Sequence, residues 1–159
     1  MVTIPLTQGK VAVVDDCDAH LARYRWCVHF NGRAWYAKRR AICPDGRSII
    51  VRLHRVILDI KDPSIEVDHI NRDGLDCRRC NLRLATHAQN AVNSPPCRRN
   101  TSGFKGVSWD KTRGQWQAGI VTAGRRKALG RFSRIEDAAR AYDDAARRVH
   151  GAFAWLNFP

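Results

Sequence analysis

The sequence predicts an α+β protein in which antiparallel strands and short helices are followed by a three-stranded antiparallel sheet packed on one helix. Three observations carry this prediction. Lys10-Val11-Ala12-Val13-Val14 is a β-branched run, and the extended stretches 33–42 and 47–53 flank Asp45-Gly46, a pair suited to the positive φ of a tight hairpin turn. Three further β-rich segments, 103–109, 115–122 and 125–132, lie close together, with Ala123-Gly124 closing the second hairpin. Behind them Ile135, Ala138, Ala139, Tyr142, Ala145, Ala146 and Val149 fall on one helical stripe.

Taken in order, residues 1–53 read mainly as strands, with a short helix expected from Asp18 to Arg23. A second helix begins near His54 and stops before Asp62-Pro63, and a third is expected from Ala85 to Val92. Ser94-Pro95-Pro96-Cys97-Arg98-Arg99-Asn100-Thr101-Ser102 is rich in Pro, Arg and small polar residues and reads as a basic linker. Ser133-Arg134-Ile135-Glu136 has the spacing of a capping box for the last helix, and Gly151 suits its end. The expected domains are therefore residues 1–93 (β-rich over 1–53, with a core of about 54–93), a linker over 94–102, and residues 103–159.

The 159 residues hold 28 Lys+Arg against 15 Asp+Glu, a net charge of +13, and 103–159 alone has 11 basic and 5 acidic residues. A surplus of that size, present in both halves, favours a polyanionic partner, with nucleic acid first among them. At 44% hydrophobic residues a packed core is expected and global disorder is excluded. No apolar run reaches the roughly 20 residues of a membrane span, and Met1-Val2-Thr3-Ile4-Pro5 lacks the layout of a signal peptide. A reducing, cytoplasmic setting follows, in which Cys17, Cys27, Cys43, Cys77, Cys80 and Cys97 are thiols rather than a disulfide frame. Only Cys77-Arg78-Arg79-Cys80 has metal-like spacing. Without a second such pair a structural zinc is disfavoured, although Cys97 and His87 could complete one.

The chemistry concentrates in Val67-Asp68-His69-Ile70-Asn71, Asn81-Leu82-Arg83 and Thr86-His87-Ala88-Gln89-Asn90. A carboxylate and an amide oxygen suit a hard divalent cation, and a neutral imidazole can take a proton from water. These are the side chains that metal-assisted phosphodiester hydrolysis uses. Asp68 and His69 are adjacent, so on a strand they point to opposite faces.

In that order, and with Leu53-His54-Arg55 upstream, the motifs resemble the HNH endonuclease family of phage and bacterial homing and intron-associated nickases, over about residues 50–93. The resemblance implies a ββα-metal unit, in which a hairpin carries Asp68 and His69 and a helix carries the last ligand. It implies Asp68 and Asn90 as metal ligands, His69 as the general base, and Asn81 as the residue that fixes the loop between the strands. His87 lies one helical turn before Asn90 and is expected as a phosphate or leaving-group contact. Arg55 matches the family too, as a phosphate contact or a packing residue. The implied cation is Mg²⁺ or Mn²⁺, and one such site predicts a nick in one strand.

Residues 103–159 resemble the DNA-binding domain of plant ethylene-response factors. The matching residues are Phe104-Lys105-Gly106-Val107, Trp116, Ala118, Ile120, Leu129-Gly130, Ala138-Ala139, Ala141-Tyr142-Asp143 and Asn157-Phe158-Pro159. Such domains lay a three-stranded sheet in the major groove of double-stranded DNA. Strand alternation turns Trp116, Ala118 and Ile120 to the helix and Gln117, Gly119 and Val121 to DNA. Lys105, Ser108, Lys111, Arg113, Gln115 and Arg126 join the expected DNA face, with Arg98 and Arg99 of the linker meeting phosphates. Ser108 and Val121 stand where the plant domains place guanine-reading arginines, which implies phosphate-led binding with weaker base discrimination. The whole reads as a monomeric nuclease working on DNA in a bacterial or phage-infected cell, near the nucleoid. Two rivals are a DNA-binding regulator that does not cut, and a zinc-organised nucleic-acid-binding module built on Cys77 and Cys80.

Overall fold

The apolar run after Lys10 forms strand β2 (Val11–Val14), which pairs antiparallel with β1 (Val2–Pro5). The computed structural model describes all residues, 1–159. The chain falls into two compact units, Met1–Asn90 and Ala91–Pro159. In the first, alternation along the β1–β2 hairpin buries Ile4, Ala12 and Val14. A 3₁₀ segment, Asp16–Arg23, follows where a short helix is expected, and it buries Leu21.

Next comes a meander of β3 (Cys27–Phe30), β4 (Trp35–Ile42) and β5 (Ser48–Arg52), in spatial order β3-β4-β5. The Asp45-Gly46 turn closes its second hairpin, with Gly46 at φ 81°. Helix α1 (Leu53–Ile57) leaves β5 directly and sinks Leu53 and Ile57 into a core shared with Ile4, Val14, Leu21, Trp26 and Cys77. The unit ends with β6 (Glu66–His69), β7 (Leu82–Ala85) and the start of α2 (His87–Val92). Helix α2 begins two residues later than its expected start at Ala85, because Ala85 still pairs with Glu66 as the last rung of the β6–β7 ladder.

Strand β2 also stitches the β6–β7 loop to the rest of the unit. Val13 N donates to Leu75 O and Cys77 N donates to Val13 O, both at 2.8 Å. The N-terminal hairpin thus belongs to the scaffold that holds the candidate site.

The second unit has β8 (Val107–Asp110), β9 (Gln115–Thr122) and β10 (Arg125–Phe132), in spatial order β10-β9-β8, and α3 (Ile135–His150). Ala138, Ala139, Ala145 and Ala146 of α3 are buried against Val107, Ala118 and Ile120. Small side chains let the helix lie close to the sheet. Gly106 permits the same approach at the sheet's edge: its φ is 77°, and a Cβ there would collide with the Tyr142 ring and lie 2.8 Å from Gly119 O. Buried Asp143 fastens the chain end, accepting Asn157 N and Phe158 N, each at 2.8 Å.

Two local expectations are corrected. Strand β8 starts at Val107 rather than near 103, because the residues before it form side-chain-bonded turns: Asn100 Nδ2 donates to Phe104 O at 2.8 Å. The capping box does not form either. Arg134, not Ser133, is the N-cap of α3, and no side chain caps it; Glu136 lies 3.6 Å from the Arg134 guanidinium instead. Glu136 and Asp137 still favour the helix start through the macrodipole. No helix is long and apolar enough to cross a membrane.

Candidate active site and nucleic-acid interface

Strands β6 and β7 pair Asp68 with Arg83 and His69 with Leu82, so Glu66, Asp68 and Arg83 share one face while Val67 and His69 take the other. The loop between the strands is a polar knot centred on Asn81. Its Nδ2 donates to Asn71 Oδ1 (2.9 Å) and to Asp76 O (2.7 Å), and its Oδ1 accepts Asn71 N at 2.9 Å. Asn71 Nδ2 donates on to Asp76 Oδ2 at 2.8 Å, and Arg78 clamps the same carboxylate. The Arg78 pairing holds the Asp76 carboxyl below the usual carboxylate range. Asn81 and Asp76 are buried, so this network sets the path by which the chain leaves His69.

His69 is itself buried, at 5% exposure. The rings of His54 and Tyr36 meet it edge-on, with centroids 5.0 and 5.7 Å away, and Cys77 Sγ lies 4.0 Å from its Nε2. Burial holds the imidazole down to about 4, against the opposing pull of Asp68, so it is neutral at neutral pH. Burial, with the nearby charges of His69, Arg52 and Arg55, holds His54 lower still, at about 3. The same burial pushes the Cys77 thiol up to about 12 and excludes a thiolate. Gly74 permits the assembly, because a Cβ there would lie 2.7 Å from Tyr36 Cδ1 and strike Trp35 O.

On the opposite face of β6, Arg83 Nε donates to Asp68 Oδ2 at 2.7 Å. Glu66, two residues before Asp68, accepts His87 Nδ1 at 2.8 Å and Asn90 Nδ2 at 2.5 Å. These two bonds, Asn90's first, hold the Glu66 carboxyl below its ordinary value. A carboxylate needs a donor, so the Asn90 amide must turn its nitrogen to Glu66 and its oxygen away. Asp68 and, through Glu66, Asn90 thus belong to one face of β6 and bring a carboxylate and an amide to it. That set suits a hard cation which keeps most of its water, as Mg²⁺ does. No three or more His, Cys, Asp or Glu side chains are grouped so that they could hold a metal ion. Cys80 is exposed and Cys77 is packed against His69.

The structure thus brings Asp68, His69 and Asn81 together on one short hairpin, with His87 and Asn90 joined to it through Glu66. The Arg55 guanidinium is taken up by backbone, donating to Ile65 O (2.6 Å) and Asp62 O (2.7 Å). Sequence reasoning missed Glu66, Tyr36, Arg52 and the pairing of Arg83. Glu66 alone carried a signal, standing two residues before Asp68 on a strand. The Arg52 charge acts on Tyr36, His54 and Glu66 alike.

In the second unit, register places Ser108, Gln117 and Arg131 in one row across the sheet, and Val121 beside Arg126. Arg126 lies across bare Gly119, where a Cβ would come within 2.8 Å of its Nε. Asp110 neutralises some of this face, meeting Arg131 at 3.1 Å and Arg113 at 3.5 Å. Lys111, Arg113, Arg98 and Arg99 are exposed, and Gln115 and Gln117 are half-buried. Lys105 is turned inward, its Nζ donating to Val92 O and Ser94 O at 2.6 Å. Trp116, Ala118 and Ile120 pack toward α3, and Trp109 stacks edge-on against Trp116 at 4.9 Å while staying 46% exposed.

Comparison with known proteins gives two family matches, the HNH endonuclease family over residues 51–92 and the AP2 domain over residues 102–152. Protein 3.8 of Escherichia phage T7 is 35% identical over 88 residues, covering 55% of this chain and 72% of that protein. An uncharacterised HNH endonuclease of Acanthamoeba polyphaga mimivirus is 34% identical over 112 residues, covering 67% of this chain and 57% of its own length. Dehydration-responsive element-binding protein 2E of Oryza sativa subsp. japonica is 45% identical over 58 residues, 35% of this chain but 18% of its own. No solved structure matches.

Proposed function

Because this chain belongs to the HNH endonuclease family and carries an AP2 domain after its HNH region, we infer that it is a metal-dependent endonuclease that nicks one strand of double-stranded DNA. The observation that carries this reading is the neutral, buried imidazole of His69 next to Asp68, with the Asn90 oxygen aimed by Glu66. A general base must be unprotonated before it acts, and burial keeps His69 so throughout the physiological range. Asp68 and Asn90 would hold the divalent cation. When bound, it supplies charge stabilisation at the scissile phosphate and its leaving oxygen.

The chain's own residues do the rest. His69 takes the proton from the attacking water. The His54 and Tyr36 rings and Cys77 restrict its imidazole to one orientation. Asn81 fixes the backbone on either side of the loop, and the exposed His87 would contact the phosphate. Arg83 neutralises Asp68 in this structure, and with a cation held at Asp68 its guanidinium would be available to a phosphate oxygen. The AP2 sheet holds the duplex chiefly through Lys111, Arg113 and Arg126, acting as a monomer.

A second reading has one observation in its favour: the Asp68–Arg83 ion pair would suit a DNA-binding regulator that does not cut. Supercoiled plasmid incubated with the protein and Mg²⁺ or Mn²⁺ separates the two. The nuclease reading expects open circles, blocked by chelator and by His69→Ala. Supercoiled DNA that stays bound but intact would establish the regulator instead.

A further inference from the structure

The two faces of the sheet β3–β4–β5 differ in character. Register pairs Cys27 with Lys38, Lys38 with Arg52, and Arg40 with Ile50, and directly paired residues share a face. One face is committed to packing. Ala37 is buried, Val51 leans on the core, and the Arg39 guanidinium stacks over the Tyr24 and Trp26 rings at 4.1 and 5.5 Å. The other face carries Tyr36, Lys38, Arg40 and Ile42 on β4, with Ser48, Ile50 and Arg52 beside them on β5. Arg40, Ser48 and Arg52 are exposed, and Ile42 and Ile50 are 76% and 57% exposed.

Two features mark this second face as a site for a polyanion. Lys38, Arg40 and Arg52 have no ion-pair partner, and the hairpin's one carboxylate, Asp45 in the turn, is already taken by Arg47 at 2.6 Å. The row also begins at the candidate active site, since the Tyr36 ring lies 5.7 Å from both His54 and His69. From Tyr36 to Ile42 the strand runs six residues at ~3.4 Å each, ~20 Å in all, or about six base-pair steps.

We propose that this face is a second DNA-binding surface: a basic two-stranded ribbon that grips the duplex flanking the cleaved phosphate. Lys38, Arg40 and Arg52 meet phosphates, and Ile42 and Ile50 make apolar contact along the wall of the groove. A two-stranded ribbon fits the major groove, and exposed isoleucines between unpaired cations contribute nothing to the core. A protein partner would call for the apolar residues but not for three cations without ion pairs beside them. The inference rests on the nuclease reading above and extends it to the placement of the substrate.

The test is equilibrium binding of the full chain to a fluorescent duplex, followed by anisotropy across a salt series in EDTA, so that cleavage does not intervene. Lys38→Gln combined with Arg40→Gln is expected to weaken binding about 10–100-fold near physiological salt and to flatten the log–log salt slope by ~1.8. The charge-keeping pair Lys38→Arg and Arg40→Lys is expected to bind as wild type, and hydroxyl-radical protection on one side of the nick should shorten by about six base pairs only in the Gln variant. An unchanged slope and footprint in the Gln variant, or an equal loss in the charge-keeping one, overturns the proposal. Failure of the wild type to nick plasmid would sink the nuclease reading instead, and the salt slope would still report whether the ribbon binds DNA.

Discussion

A buried imidazole is useful as a base only while it stays neutral, and His69 and His54 both do so because burial disfavours their charged forms. Linkage then fixes how acid acts on the fold. In the unfolded chain a histidine takes a proton near 6.5, whereas His54 in the fold does not do so until about 3. Between these values the unfolded state binds the extra proton, so stability is lost as pH falls through the window, by up to ~1.4 kcal/mol per pH unit. Urea midpoints measured from pH 7 to pH 4 should drop accordingly, and His54→Leu should flatten that slope whatever its effect at pH 7. Glu66 acts through another side chain, since it turns the Asn90 amide. Glu66→Gln offers Asn90 a donor as well as an acceptor and lets the amide flip. Metal titration of nicking should then show activity or apparent metal affinity about 10–100-fold lower, with the melting temperature nearly unchanged.

Among the elements, the β6–β7 loop depends on bonds that no local propensity supplies. Asn81→Ala would leave the Asn71 amide and the Asp76 carbonyl without their buried partner. A loss of about 2–4 kcal/mol, read from urea unfolding, is expected, because each unsatisfied buried group costs ~1–3 kcal/mol. In the second unit Gly106→Ala meets both a positive φ and the Tyr142 ring. Overpacking alone costs about 1–3 kcal/mol and the backbone strain ~1–2 more, so its thermal transition should fall by well over the ~4 °C that a single kcal/mol causes. The failed capping box belongs to this scale too. Ser133 and Glu136 have the spacing, yet Arg134 takes the N-cap position and pairs with Glu136. Spacing alone could not foresee that an ion pair would engage Glu136.

For the molecule as a whole, the net charge of +13 is spread over both units, and each has a sheet that carries exposed cations. Phosphate-led binding through the AP2 sheet predicts that Arg126→Gln lowers the salt slope by ~0.9, the value of one lost contact. Its effect on affinity should be similar on unrelated duplexes, because Gly119 beside it and Ser108 across the sheet offer no bidentate partner for a base. Anisotropy on two duplexes of different sequence checks both statements, and a strong preference lost with Arg126 would show that this residue reads bases.

Residue order alone determined the α+β class, the Asp45-Gly46 hairpin, the three-stranded sheet of the second unit and the long amphipathic helix, because strand alternation, turn residues and helical stripes are local properties of the chain. Asp68, His69, Asn81 and Asn90, by contrast, were grouped only by the resemblance to the HNH family. Tertiary structure alone decided what surrounds them. Tyr36 comes from a strand far upstream, Cys77 is drawn in by β2, and Glu66 links His87 and Asn90 to the hairpin. Ion pairing also turned Arg83 onto Asp68, and backbone carbonyls drew Lys105 inward. Such partners are chosen by packing between segments far apart in sequence, where burial shifts a histidine or seats a cation, and no spacing within one segment encodes them.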